Sequence, residues 1–188
     1  MDMYKLKWTR LQSEIFRFFC IKAGRSFNLR EVSKFLKKSP TAVSNAIQDL
    51  KRDNLINVKK IDGANLLSIE FNRDNEKAIE LKRIENLKLI YESGLVNCLE
   101  EKFPGVTVVL FGSYSRGDDV CIKDLEENKS DIDIAMIGEK EKDIDLKEFN
   151  KKLEREVVLN FYGSFEKIHK HLRNSILNGV VLLGGVDI

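Results

Sequence analysis

The chain has little with which to build a metal cluster or a covalent framework. Its three cysteines, Cys20, Cys98 and Cys121, stand far apart, with no CxxC or CxxxH spacing. That is the pattern of reduced thiols, not of a disulfide framework or a zinc site. There are two histidines, His169 and His171. They are too few for a His-rich centre, and two apart on a helix they fall on different faces. Long hydrophobic runs are missing as well. The longest, VTVVLF and GVVLLGG, fall far short of the ~20 residues that cross a bilayer. The N-terminus, MDMYKLKWTR, lacks the apolar core of a secretory signal. The expectation is a cytoplasmic protein with no membrane partner.

What is present fits a globular protein. Of 188 residues, 43% are hydrophobic and 33% charged, well away from a disordered composition, and the length suffices for one large or two small domains. The net charge of +2 hides an asymmetry. Residues 1–73 hold 15 Lys/Arg against 7 Asp/Glu, and residues 74–188 hold 17 against 23. A basic front part joined to an acidic rear part suggests that the front meets a polyanion.

In the front part, TRLQSEIFRFFCIKA places Leu11, Ile15, Phe18, Phe19 and Ile21 at helical spacing before Gly24. Trp8 and these phenylalanines read as core. Asn28 with Glu31 three residues on forms a capping box for LREVSKFL. Ser39-Pro40 opens a third helix, PTAVSNAIQDLKRDN, with Val43, Ile47 and Leu50 as its buried stripe. LINVKKI and LLSIEF follow, separated by the hairpin signal Asp62-Gly63.

Three helices and a hairpin are the order of a winged helix-turn-helix, and Phe27 to Phe71, including IQDLKRDNLI, resembles that DNA-binding family. The resemblance implies that the third helix enters the major groove of duplex DNA. It would present Thr41, Ser44, Asn45, Gln48, Lys51 and Arg52, while Lys59, Lys60 and the hairpin tip lie along the phosphates. Winged helices also serve as protein–protein modules. The basic charge and the small polar face weigh towards DNA.

A charged helical segment, RDNEKAIELKRIENLKLI, then carries Ala78, Leu81, Ile84 and Leu87 as an apolar stripe. Three surfaces could cover it: the wing, the following domain, or a second copy of the chain in a homodimer. The expected organisation is a winged helix domain over 1–73, a linker helix over 74–92 and a second domain over 93–188. In that second domain a helix ends before Pro104. Four apolar strands, VTVVLF, DIDIAMI, EVVLNF and GVVLL, then alternate with the helical stretches DLKEFNKKLERE and FEKIHKHLRNSILN. The fold class expected is α+β: a winged helix domain plus an α/β domain with a mixed sheet.

Chemistry concentrates at two places in that layer. Gly112-Ser113 ends the first strand, where glycine lets backbone approach a ligand and the free N–H groups and hydroxyl can hold phosphate oxygens. Asp131 and Asp133, two apart on a strand, leave from one face. Adjacent carboxylates repel unless a cation lies between them, and hard oxygen donors suit Mg²⁺. Asp-Ile-Asp recurs at 143–145, but there it precedes a helix, and Asp145 reads as an N-cap. Asp118 and Asp119 read as solvated loop charges.

LFGSYSRGDD followed by SDIDIAMIG resembles the nucleotidyltransferase superfamily that includes DNA polymerase beta, kanamycin nucleotidyltransferase and the minimal nucleotidyltransferases, over roughly residues 94–184. The resemblance implies that Gly112, Ser113 and Arg116 contact a nucleoside triphosphate, ATP foremost. It also implies that Asp131 and Asp133 are catalytic and bind Mg²⁺, and that a nucleoside monophosphate passes to a hydroxyl with release of pyrophosphate. The chain departs from the pattern twice. Seventeen residues, Tyr114 to Ser130, separate the two motifs, and VCIKDLEEN within them reads as an insertion. The family's third carboxylate, on the next strand, falls on Val158 or, with a shifted register, Asn160; Glu156 shares their face but comes early.

Two functional classes therefore stand. One is a Mg²⁺-dependent nucleotidyltransferase acting on a protein or RNA hydroxyl. Minimal members often act as antitoxins, so a toxin-like partner protein is a possible acceptor. The other is a transcriptional regulator whose second domain only binds nucleotide or a partner.

Overall fold

The structure is a computed structural model that describes residues 8–60, 66–121 and 130–185. It divides into two compact units: Met1–Ala78 with Cys121–Lys123, and Ile79–Val120 with Asp124–Ile188.

In the first unit, α1 (Arg10–Ile21) starts at Thr9, whose hydroxyl and backbone N–H exchange hydrogen bonds with Gln12 in a capping box. The two-residue strand β1 (Ser26–Phe27) precedes α2 (Leu29–Leu36), which opens with the Asn28–Glu31 capping box that the sequence spells. Ser39 and Pro40 open α3 (Pro40–Arg52). Strands β2 (Ile56–Lys60) and β3 (Leu67–Phe71) pair antiparallel, and β1 joins β3 from the other side, giving the order β1-β3-β2. The hairpin tip with Asp62-Gly63 lies outside the described residues.

Ile15, Phe18, Phe19, Val32, Val43, Ile47, Leu50 and Ile69 fill the core of this unit. Phe16 is buried, whereas Leu11 and Ile21 are only half-buried. Trp8 lies edge-on to Phe16, at 5.0 Å between ring centroids. Three helices capped by a small antiparallel sheet and wing are the winged helix architecture. β1 was not expected, since two residues carry no readable alternation.

In the second unit, α4 (Glu76–Ser93), whose first three residues count with the first unit, runs to Gly94, and α5 (Leu95–Lys102) follows. The sheet has β4 (Thr107–Phe111), β5 (Ile132–Ile137), β6 (Val157–Tyr162) and β7 (Val180–Leu183) in the order β6-β5-β4-β7. β5 and β6 are parallel and the other pairs antiparallel, so the sheet is mixed. Short α6 (Gly112–Arg116) leaves β4 without a break, and α7 (Lys147–Leu153) crosses from β5 to β6. The helical stretch before β7 is interrupted. A single 3-10 turn at Phe165–Lys167 is followed by α8 (Lys170–Leu177), with extended backbone at Ile168 and His169 between them.

Period-two alternation divides the strands between two faces. Val108, Leu110, Ile132, Ile134, Met136 and Val157 pack with Ile90, Leu95, Leu99, Phe103 and Leu153 in the main core. Val109, Phe111 and Ala135 face the other way, onto Ile168 and Ile176. Asp133 belongs to this second face, one pleat before Ala135. Asp145 does not take the N-cap position of α7. Leu146 occupies it, and the Asp145 carboxylate accepts the Lys147 N–H at 3.0 Å from one residue earlier.

Candidate functional site

Strand register assembles the site. In the antiparallel β4–β5 pair Phe111 stands opposite Asp133, so the next residue on β4's path, Gly112, turns away directly beside the Asp133 side chain. Gly112 has φ +77° and opens α6. A Cβ built there would lie 2.5 Å from Asp133 Oδ2, with Asp133 Cγ at 3.3 Å. Only a residue without a Cβ lets the turn and the carboxylate approach so closely. The glycine of the Gly-Ser motif is thus explained by one contact across the sheet.

Asp133 is half-buried and Asp131, just before β5, is exposed. Burial in the first place, and the Asp131 charge in the second, raise the Asp133 pKa above the ordinary 3.8. The Tyr162 phenol is also raised, by burial and then by Asp133, which places that carboxylate within electrostatic reach of the β6 end of the same face. Two like charges on one face, one resisting ionisation, form a hard-oxygen donor set that a divalent cation would complete. Among the described residues no group of three or more His, Cys, Asp or Glu side chains could hold a metal by itself.

The parallel β5–β6 register decides the position of a third acid. Asp133 pairs with Val158, Ala135 with Asn160 and Ile137 with Tyr162. Val158 is therefore the residue beside Asp133, and the register is not shifted. Glu156 precedes β6 and is exposed, and its carbonyl accepts the Ile132 N–H at 2.8 Å.

The rest of the Gly-Ser segment is held from behind. Ser113 is half-buried, and Ser115 is buried with its hydroxyl donating to Gly112 O at 2.9 Å. Arg116 ends α6 with an exposed side chain whose Nε donates to Asp118 at 2.9 Å. Asp118 is a loop charge as expected, but Asp119 is not: it is 1% exposed. Its carboxylate pairs with Lys82 of α4, accepts from Asn86 Nδ2 at 2.7 Å, and accepts from Arg155 Nη2 at 3.1 Å. Asn86 also donates to Tyr114 O, inside α6, at 2.9 Å. Lys82, Asn86 and Arg155 are all buried, so four polar side chains lock α6 and its following loop onto α4 and the start of β6. The sequence offered no signal for this, because Lys82 and Asn86 look like two polar residues on a charged helix.

In the first unit, Thr41, Asn45, Gln48, Lys51 and Arg52 are exposed on α3 and Ser44 is half-buried. Asp49 on the same helix accepts from Gln12 Nε2 at 2.6 Å and also pairs with Arg52. Lys60 is exposed at the end of β2, and Lys59 Nζ lies 3.3 Å from Glu70 on β3. His169 and His171 are exposed and, contrary to the helical spacing argument, their rings lie 5.3 Å apart, because His169 sits in the extended N-cap of α8.

Residues 92–183 match the nucleotidyltransferase domain family. No curated protein sequence matches the chain. Among solved structures, the chain is similar to a variant of ZitR from Lactococcus lactis (TM-score 0.42, 19% identity, 56% of this chain and 68% of that one). It is also similar to the adhesin competence repressor AdcR from Streptococcus pyogenes (TM-score 0.41, 20% identity, 54% and 72%). A third is ZitR itself, a zinc-responsive MarR family member (TM-score 0.41, 20% identity, 56% and 69%). Residues 92–183 thus match a nucleotidyltransferase domain, and the three helices and small sheet of the first unit precede them in the chain.

Proposed function

Taking that nucleotidyltransferase domain as the premise, we propose that the chain is a Mg²⁺-dependent nucleotidyltransferase whose winged helix binds duplex DNA. The observation that carries the reading is the approach of Gly112 to the Asp133 carboxylate, which brings the Gly-Ser turn and that acid to one end of one sheet face. Asp131 and Asp133 would hold Mg²⁺, which when bound supplies charge neutralisation and Lewis acidity at the phosphates. The Gly112–Ser113 backbone and the Ser113 hydroxyl orient the β- and γ-phosphates, and Arg116 reaches them by leaving Asp118. An acceptor hydroxyl oxygen, on a protein or an RNA, forms a bond to the α-phosphorus of ATP. The bond from that phosphorus to the bridging oxygen breaks, pyrophosphate departs, and the hydroxyl proton passes to solvent. A toxin-like partner protein is one acceptor of the right chemistry.

One observation favours a second reading. Val158, not an acid, stands beside Asp133, so β6 offers no carboxylate at that place to take the hydroxyl proton, and a missing general base costs about 10²–10⁴ in rate. In that reading the domain binds nucleotide and signals it to the DNA-binding unit. Incubation with Mg²⁺, α-labelled nucleoside triphosphates and cell extract separates the two. Label transferred to protein or RNA by the wild type, absent with Asp131→Asn/Asp133→Asn, supports the transferase; Val158→Asp should then raise the rate. Mg²⁺-dependent nucleotide binding without transfer, in wild type and Val158→Asp alike, supports the regulator. No Mg²⁺-dependent nucleotide binding at all removes both.

A further inference from the structure

Helix α4 wears its side chains inside out for a lone amphipathic helix. Lys82, Asn86, Ile90 and Ser93 fall on one face and are buried. On the opposite face stand Glu80, Ile84, Leu87, Lys88 and Tyr91, at the i, i+4, i+7 spacing of a single stripe. Ile84 is 61% and Tyr91 50% exposed, two of the six large hydrophobic side chains so exposed among the described residues. Ile84 and Leu87 also line a cavity of about 450 Å³ shared with Glu80, Arg83, Leu110 and Val180. A projecting isoleucine on an open helix face can pack against its own counterpart across a two-fold axis.

Charge along the stripe selects the partner and its direction. Were two α4 helices to pair parallel, Glu80 would meet Glu80 and Lys88 would meet Lys88. Paired antiparallel about a two-fold axis through Ile84, each residue meets the one equally far on the other side of 84. Glu80 then faces Lys88 of the other copy, twice per dimer, and Leu87 faces Leu81. Among the described residues Lys88 makes a loose contact with Glu92, 3.8 Å away and exposed, which is worth little and leaves its charge available. We infer that the chain forms a homodimer through antiparallel pairing of α4, with Ile84 on the axis and reciprocal Glu80–Lys88 ion pairs. From residue 80 to 91 the stripe is about 17 Å long and one helix, about 10 Å, wide, roughly 200 Å² against the roughly 800 Å² per partner of a standard interface. The dimer is thus a weak, reversible one that concentration controls.

Sedimentation of the full chain over a dilution series tests this. The wild type should pass from dimer to monomer on dilution, and Ile84→Glu should be monomeric with an unchanged circular dichroism spectrum, since Ile84 is a surface residue. Glu80→Lys and Lys88→Glu should each weaken association several-fold, and the double reversal should restore it. A second measurement does not depend on affinity: Ile84→Cys should self-crosslink under mild oxidation, whereas Arg83→Cys, off the axis, should not. A wild type that stays monomeric at the highest soluble concentration overturns the inference. So does a dimer whose dissociation is untouched by Ile84→Glu, or a double reversal that dissociates further than either single one.

Discussion

Replacing Gly112 by alanine separates two consequences of one glycine. The first is conformational: at φ +77° an L-residue costs about 1–2 kcal/mol. For a unit of this size that lowers the thermal midpoint by roughly 5–15 °C. The second is local. The new Cβ would sit 2.5 Å from Asp133 Oδ2, and because that oxygen ends a short side chain, the carboxylate swings aside by about 1 Å sooner than the sheet yields. A displacement of that size in a reacting group costs on the order of 100-fold. Gly94 is the control, with φ +81° and nothing within 4 Å of its virtual Cβ. Gly94→Ala should therefore cost the same stability and leave the site alone. The assay is Mg²⁺-dependent nucleotide affinity, with the transfer rate where label moves, measured beside the melting temperature. Equal losses of stability with a nucleotide defect in Gly112→Ala alone are expected. Nucleotide affinity unchanged in Gly112→Ala would refute the reasoning, because the approach of the turn to Asp133 would then serve only the fold.

Asp119→Ala should destabilise the second unit by about 3–5 kcal/mol, since Lys82 and Arg155 would lose the carboxylate they share in a buried place; chemical denaturation monitored on that unit reads it. Asp133 makes a pH prediction. Its folded pKa is raised, so its contribution to stability is fully present below the ordinary 3.8 and is lost as pH rises through the raised value. Asp133→Asn should therefore be more stable than the wild type at neutral pH, and Mg²⁺ should raise the wild-type melting temperature but not the variant's. On the front unit, duplex DNA binding should weaken steeply with salt. Lys51→Ala and Lys60→Ala should each shallow that salt dependence by about one phosphate contact, in titrations at several ionic strengths; a flat response removes the DNA reading.

Local elements were legible because their signals are local. The Asn28–Glu31 and Ser39–Pro40 starts, the alternation of VTVVLF and DIDIAMI, and Gly112-Ser113 ahead of Asp131-x-Asp133 need only a few adjacent residues to be read. They announce two helix starts, two strands and the composition of a site. What adjacent residues cannot encode is which strand lies beside which. Only the parallel β5–β6 register sets Val158 next to Asp133, an apolar residue where the resemblance implies a third acid. Only the antiparallel β4–β5 register presses Gly112 against that carboxylate. The buried Lys82–Asp119–Arg155 group joins residues 37 and 36 positions apart, each on a segment that by itself reads as solvated. Because these partners arrive from distant parts of the chain, the burial of this charge group is decided by tertiary packing.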